Sequence, residues 1–336
     1  MKKVVVIFLV LLSVSFVHSQ QTSNGWYKIV KNIHPEGDDK WDYLSSDDQA
    51  SRLYVSHGNI VQVVDEVKGE VIGQITGLNG VHGIAIAAGM KKGFISSGKD
   101  SSVTVFDTKT LKVITKITVT GKGPDAILFD PFSKKVFVNN GKTNNVTVIN
   151  AETNKVEATI ALEGKPEFSV SDGKGKVYMN IEDKNSIAVI NSSTYKVENV
   201  WSLAPGEGPS GLAIDNEMHR LFSVCQNKLM VVADAGTGKI IMTLPIGDRT
   251  DGAAFDPGLR RAYSSNGDGT LTVVQEEKGD TFSILANVAT QKGARTITVN
   301  TLTHHLYLPT ASFEAQVGNE RPKIVPSSFV ILELVP

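Results

Sequence analysis

Apolar and polar positions along this chain alternate in short runs broken by Gly, Asn and Asp, and one phrase keeps returning. Arg52-Leu53-Tyr54-Val55-Ser56 is echoed by Lys92-Gly93-Phe94-Ile95-Ser96, Lys135-Val136-Phe137-Val138-Asn139 and Lys176-Val177-Tyr178-Met179-Asn180. It returns again as Arg220-Leu221-Phe222-Ser223-Val224, Arg261-Ala262-Tyr263-Ser264-Ser265 and His305-Leu306-Tyr307-Leu308-Pro309. The central aromatics are 40, 43, 41, 44, 41 and 44 residues apart, the mark of a repeat architecture.

Each copy keeps the same companions. A small and apolar segment, such as residues 125–130 (DAILFD) or 211–215 (GLAID), precedes it and predicts a strand a, with the aromatic phrase as strand b. A run ending in Asp or Asn follows as strand c, at 103–107 (VTVFD), 146–150 (VTVIN) and 187–191 (IAVIN). Residues 155–160 (KVEATI) then alternate Val156, Ala158 and Ile160 with Lys155, Glu157 and Thr159, the period of two expected of a half-buried outer strand d. Four strands per unit and seven units predict an all-β fold, a single seven-bladed β-propeller of four-stranded antiparallel blades. The seventh unit ends after its third strand, at 329–335, while residues 26–33 (WYKIVKNI) read as an outer strand with no earlier partner. This N-terminal strand is expected to close the last blade.

Residues 137–141 (FVNNG), 144–150 (NNVTVIN) and 156–160 together resemble the repeat of the YVTN-type, or YncE-like, β-propeller family. Blades two to four carry the resemblance best and the seventh diverges most, yet it spans nearly all of the chain after residue 20. It implies an extracytoplasmic binding or surface protein and names no activity. The Trp41-Asp42 dipeptide stands before strand a, so it does not indicate WD repeats.

Composition changes the picture in three ways. Lys2 and Lys3 precede an apolar run over residues 4–17, too short to span a bilayer, and Val17-His18-Ser19 suits signal-peptidase cleavage. Residues 1–19 therefore read as a signal peptide and 20–336 as the propeller, in a secreted or periplasmic protein with no transmembrane segment after cleavage. The single cysteine, Cys225, cannot pair within the chain, and a monomer is the expected state. The 34 Lys+Arg against 35 Asp+Glu make no basic stripe, so a nucleic-acid partner is not expected.

Candidate chemistry follows from the repeat. In a propeller the d-to-a and b-to-c loops share one face around the central channel, where function usually sits. Counting back from each repeat aromatic places Asp42, His82, Asp125, Glu167, Ser210, Asp251 and Arg295 at equivalent positions near the start of strand a. They are expected to converge on a net-acidic rim that binds a cation or a cationic or hydroxyl-rich small molecule, with Arg295 as an anion clamp between Asp251 and Asp42. A water-filled channel would also make facing residues polar by default, and the sequence leaves both readings open. Asp42, His82 and Asp125 stand on consecutive blades and form a candidate divalent-metal set; no other cofactor is implied.

Trp41 and Trp201 are expected near this face, either stacking on a ligand or packing under loops. Residues 310–328, with Phe313, Glu314, Glu320, Arg321 and Lys323, make an insertion in blade seven that should project over the rim. Other groups read as structural. Gly208-Pro209-Ser210-Gly211 is no nucleophile elbow, His304 and His305 read as surface histidines, and Asp65, Asp107, Asn150, Asn191 and Asp234 are expected to bond in the turns after strand c. The leading function is thus a binding module for a small ligand or protein partner at the rim. The alternatives are a metal-assisted hydrolase of lactonase type and a single-stranded nucleic-acid binder.

Overall fold

Six repeats each fold into one antiparallel sheet with strands a to d in sequence order, the seventh supplies strands a to c of its sheet, and the seven sheets form a ring in which the inner strands of successive blades touch, the first meeting the seventh. The structure is a computed structural model describing residues 26–37, 39–316 and 322–336. The expected leader, residues 1–19, lies outside the described residues. The inner strands a are Trp41–Asp47, Val81–Ala87, Pro124–Asp130, Pro166–Ser171, Pro209–Asp215, Thr250–Asp256 and Thr298–Asn300. The chain is a seven-bladed β-propeller. Among the described residues no helix is long and apolar enough to cross a membrane.

The repeat aromatics are the core. Tyr54, Phe94, Phe137, Phe222, Tyr263 and Tyr307 are fully buried, and they pack between neighbouring blades: Phe94 shares one cluster with Val136 and Val138 of the next blade. Two tyrosines also reach across, Tyr178 donating its hydroxyl to the Ala235 carbonyl at 2.8 Å and Tyr54 to that of Thr108 at 3.5 Å. Burying a side chain of this size is worth about 1.5–3 kcal/mol, which accounts for its return in every repeat.

The hairpin from strand a to strand b turns the same way in every blade, through a residue in the left-handed region three positions before the aromatic. These are Ser51, Lys91, Lys134, Gly175, His219, Arg260 and His304; glycine, which holds that conformation without steric cost, occurs only at 175. After strand c, Asp65, Asp107, Asn150, Asn191 and Asp234 each accept two backbone N–H bonds in the next turn, as expected.

Ring closure is by strand pairing. Lys28–Ile33 pairs antiparallel with Val330–Val335, from Lys28 opposite Val335 to Ile33 opposite Ile331, and supplies strand d of blade seven. The Tyr27 and Tyr263 hydroxyls share a hydrogen bond of 2.7 Å, and Arg261 Nη1 donates to Tyr27 at 3.1 Å, tying this strand to blade six as well.

Blade seven departs from the pattern in its inner strand. Only Thr298–Asn300 pairs there, because the preceding chain turns at Gly293 (φ +87°) and bonds to itself, Ala294 N–H to the Gln291 carbonyl and Arg295 N–H to that of Gly293. Arg295 therefore stands on a loop rather than at the head of a strand. The insertion between Thr310 and Val330 forms a short hairpin stem, in which Phe313 bridges Ile324 and Glu314 N–H bonds the Lys323 carbonyl. Its tip, residues 317–321 with Glu320 and Arg321, lies outside the described residues.

Candidate functional site

Six inner strands slip register against strand b across the ring position. The breaks fall at Trp41/Leu44, Val81/Ile84, Pro124/Ile127, Pro166/Ser169, Pro209/Leu212 and Thr250/Gly252, so Asp42, His82, Asp125, Glu167, Ser210 and Asp251 each sit in a bulge. A bulge releases one residue from the in–out alternation of the strand and re-aims its side chain.

Five ring side chains join into one chain of opposite charges. Asp251 Oδ2 lies 3.3 Å from Arg295 Nε, and Arg295 Nη2 lies 3.9 Å from Asp42 Oδ1. The other oxygen of Asp42 is 2.7 Å from His82 Nδ1, which in turn is 3.6 Å from Asp125 Oδ1. Arg295 thus stands between Asp251 and Asp42, where the repeat count places it. The Asp42, His82 and Asp125 ligand atoms all lie within 4.8 Å of one another.

The remaining positions behave differently. Glu167 is paired with Lys165 at 2.5 Å, and Lys165 also reaches Glu182 at 2.5 Å; neither partner stands at a ring position, so the repeat count overlooks both. Ser210 is buried and turned into the wall, donating to the Thr250 carbonyl at 3.2 Å. Trp41 packs on Phe313 and Phe329, with ring centroids 6.1 and 5.3 Å away, and so carries the stem of the blade-seven insertion. Trp201 lies apart from the ring in the outer strand Val197–Ser202, against Tyr178 and close over Gly238. Its place in the sequence, a few residues ahead of strand a of blade five, is bridged by the loop at 203–208.

Directly after the ring position, blades two, three, five and six carry Gly83, Ala126, Gly211 and Gly252, while blades one and four carry Tyr43 and Phe168. These two rings meet across the axis with centroids 5.4 Å apart. On their far side the channel is a cavity of about 430 Å³ walled by side chains such as Ile84, Ile127, Leu212 and Phe255. The linked charges thus lie at one mouth, in a cup with an aromatic floor.

Burial dominates the electrostatics of the cup. It pushes Asp125 up to about 6, with Asp42 adding to the rise, and Asp251 to about 6 against the pull of Arg295. Burial also raises Glu167, to about 8, although Lys165 opposes it. His82 holds its proton above the usual histidine range because of its bond to Asp42. Tyr43, buried beneath Asp125, Asp251, Asp42 and Glu167, is held firmly neutral. The carboxylates are thus under-compensated, and the cup favours a proton or a cation.

Side chains two residues after the repeat aromatic lock the ring backbone. Ser96 Oγ donates to the Asp125 carbonyl at 2.5 Å, Asn139 Nδ2 to that of Glu167, Asn180 Nδ2 to that of Ser210 at 3.0 Å, and Ser265 Oγ to that of Arg295 at 2.6 Å. Thr296 does the same for Asp42 at 2.8 Å. The Ser or Asn at this point of the repeat is the sequence signal for these positioning residues. His304 and His305, on the opposite face, each pair at 2.7 Å with a buried carboxylate, Asp256 and Glu333.

No protein-family model and no curated protein sequence matches the chain. Solved structures do. The chain is similar to Kuenenia stuttgartiensis hydrazine synthase at 16% identity and a TM-score of 0.73, covering 82% of this chain and 94% of that one. It is similar to U3-55K at 9% and 0.75, covering 90% and 97%. The RRP9 WD40 repeats align at 8% and 0.76, covering 93% and 98%. At such identities the likeness is one of fold, and the fold these neighbours support for this chain is the seven-bladed β-propeller.

Proposed function

We propose that this protein is an extracytoplasmic binding module of the YVTN-repeat kind, which captures a small cationic or hydroxyl-rich ligand in the charged cup at one mouth of its channel. The observation that carries this is the continuous chain Asp251–Arg295–Asp42–His82–Asp125 over the Tyr43–Phe168 floor. Five blades contribute one side chain each to a closed-ended, partly desolvated site, the arrangement in which a few convergent polar groups select a ligand. The leader-like N terminus supports export, and the insertion stem anchored on Trp41 offers a contact for a protein partner beside the cup.

The test is a thermal-shift and calorimetric panel of small amines (putrescine, spermidine), quaternary ammonium compounds and monosaccharides. Binding weakened by Asp251→Asn and by Arg295→Ala supports the cup as the site. No binding across the panel, or binding indifferent to both changes, overturns it. Sequencing of the exported chain is expected to give an N terminus near Gln20. A metal-assisted hydrolase is the second reading, favoured by the Asp42, His82 and Asp125 cluster; hydrolysis of simple lactones lost in Asp125→Ala would support it. The excess of carboxylates weighs against nucleic acid, whose phosphates need a basic groove.

A further inference from the structure

We propose that Asp42, His82 and Asp125 bind one divalent transition-metal ion of the zinc or manganese kind, an inference that rests on the cup being the functional site and names one of its occupants. His82 Nδ1 sits between two carboxylates, 2.7 Å from Asp42 Oδ2 and 3.6 Å from Asp125 Oδ1. A proton on Nδ1 is sufficient to hold the bond to Asp42. It leaves Asp125 Oδ1 buried and without a hydrogen-bond partner, pointing at the same space. Such an orphaned carboxylate oxygen is costly in a folded protein unless something charged completes it.

The donor set selects the ion. Bond lengths of about 2.0–2.2 Å set ligand atoms roughly 3–3.5 Å apart, so as the proton leaves Nδ1 the His82–Asp42 pair opens slightly from 2.7 Å while Asp125 Oδ1 draws in from 3.6 Å. One imidazole with two carboxylates suits zinc or manganese, whereas magnesium and calcium favour oxygen alone. Three protein ligands leave coordination positions free for water or a ligand, the pattern of an open site. Asp42 is steadied from behind by Arg295 on its second oxygen, and His82 has room because Gly98 has no side chain: a Cβ there would lie 2.7 Å from Nε2. The pairs His304–Asp256 and His305–Glu333 gather no third ligand among the described residues, which makes them internal controls.

The experiment is calorimetric titration of the chelator-dialysed protein with zinc chloride and manganese chloride, with magnesium chloride as the control. One equivalent of zinc is expected to bind, about tenfold or more weakly in Asp125→Asn and His82→Gln, and unchanged in His304→Gln. Should the ring variants not fold, the unsubstituted protein decides: zinc must shift the His82 imidazole nitrogen resonances. No zinc binding, binding equal in wild type and ring variants, or a perturbation confined to other histidines overturns the site. Capture of an amine or sugar through Asp251 and Arg295 by a protein that binds no zinc would leave the preceding proposal standing while removing this one.

Discussion

Tyr43 of blade one and Phe168 of blade four touch across the propeller axis, 5.4 Å between centroids, and this contact divides the central channel into a charged cup and a cavity of mixed lining, in which Ser45, Ser169 and Thr298 stand among apolar side chains. Ring chemistry on one side is thereby insulated from the other mouth. Removing Phe168 as Phe168→Ala joins the two spaces. The expected cost is about 3 kcal/mol in a urea unfolding titration, from lost burial plus the void left behind, with weaker ligand capture in the cup. A change below about 0.5 kcal/mol would mean the floor carries no weight.

The N-terminal strand should be indispensable. Deleting residues 26–31 removes most of the pairing with Val330–Val335 and the Tyr27–Tyr263 bond, exposing a long strand edge. A sharply lowered thermal midpoint and concentration-dependent aggregation are expected. The milder Tyr27→Phe change strands the buried Tyr263 hydroxyl and should cost about 1 kcal/mol.

Backbone locking of the ring is separable from ring charge. Ser96→Ala frees the carbonyl of Asp125 and is expected to cost about 1–3 kcal/mol by urea titration while leaving the Asp125 side chain present. Zinc affinity should fall with it, because the carboxylate is no longer held in place. Stability lost with affinity intact would show that the bond serves folding only.

Gly98→Ala tests the space beside His82. The new methyl must displace either the imidazole or the Pro124 carbonyl, 2.7 and 3.3 Å away, and the imidazole is the softer of the two. Loss of zinc binding is expected without a matching loss of stability.

Away from the ring, Glu276 is buried, and burial first, then the neighbouring Asp215 carboxyl, pushes it up to about 7 from an ordinary 4.5. A carboxyl whose folded pKa is raised binds more protons folded than unfolded between those two values, so stability falls as pH rises from about 4.5 to 7. Glu276→Gln should remove this slope. The difference in urea midpoint between variant and wild type is expected to grow in the variant's favour from pH 5 to pH 8; a constant difference would contradict the assignment.

The period of the aromatics made the seven blades legible, as did the unpartnered strand pattern at residues 26–33, because burial between blades demands a large ring at one fixed point. The set of ring residues was legible by counting. Which of them converge was not, since six bulges do the re-aiming and a bulge leaves no mark in hydropathy. Ser210 reads like its neighbours in the count yet turns into the wall, and Lys165 joins the site from one step outside it. Tyr43 and Phe168 carried a readable signal, two large rings where other blades have glycine or alanine. It does not reveal their contact, because nothing in a repeat says which residues face each other across an axis. Trp201 shows the converse: it is near blade five in sequence, but it belongs to the outer strand of blade four.

Lys28–Ile33, the first strand among the described residues, pairs with Val330–Val335, the last. During synthesis these residues emerge long before their partner and wait unpaired for some three hundred others. Their partner is the last strand to arrive. Each intermediate blade can assemble from neighbouring residues, but the ring stays open until the final strand is released. This makes closure a long-range step, expected to be slower than the pairing of strands within a blade. A chain interrupted anywhere before residue 330 therefore leaves Lys28–Ile33 without its partner, a lone strand that the closed ring does not have.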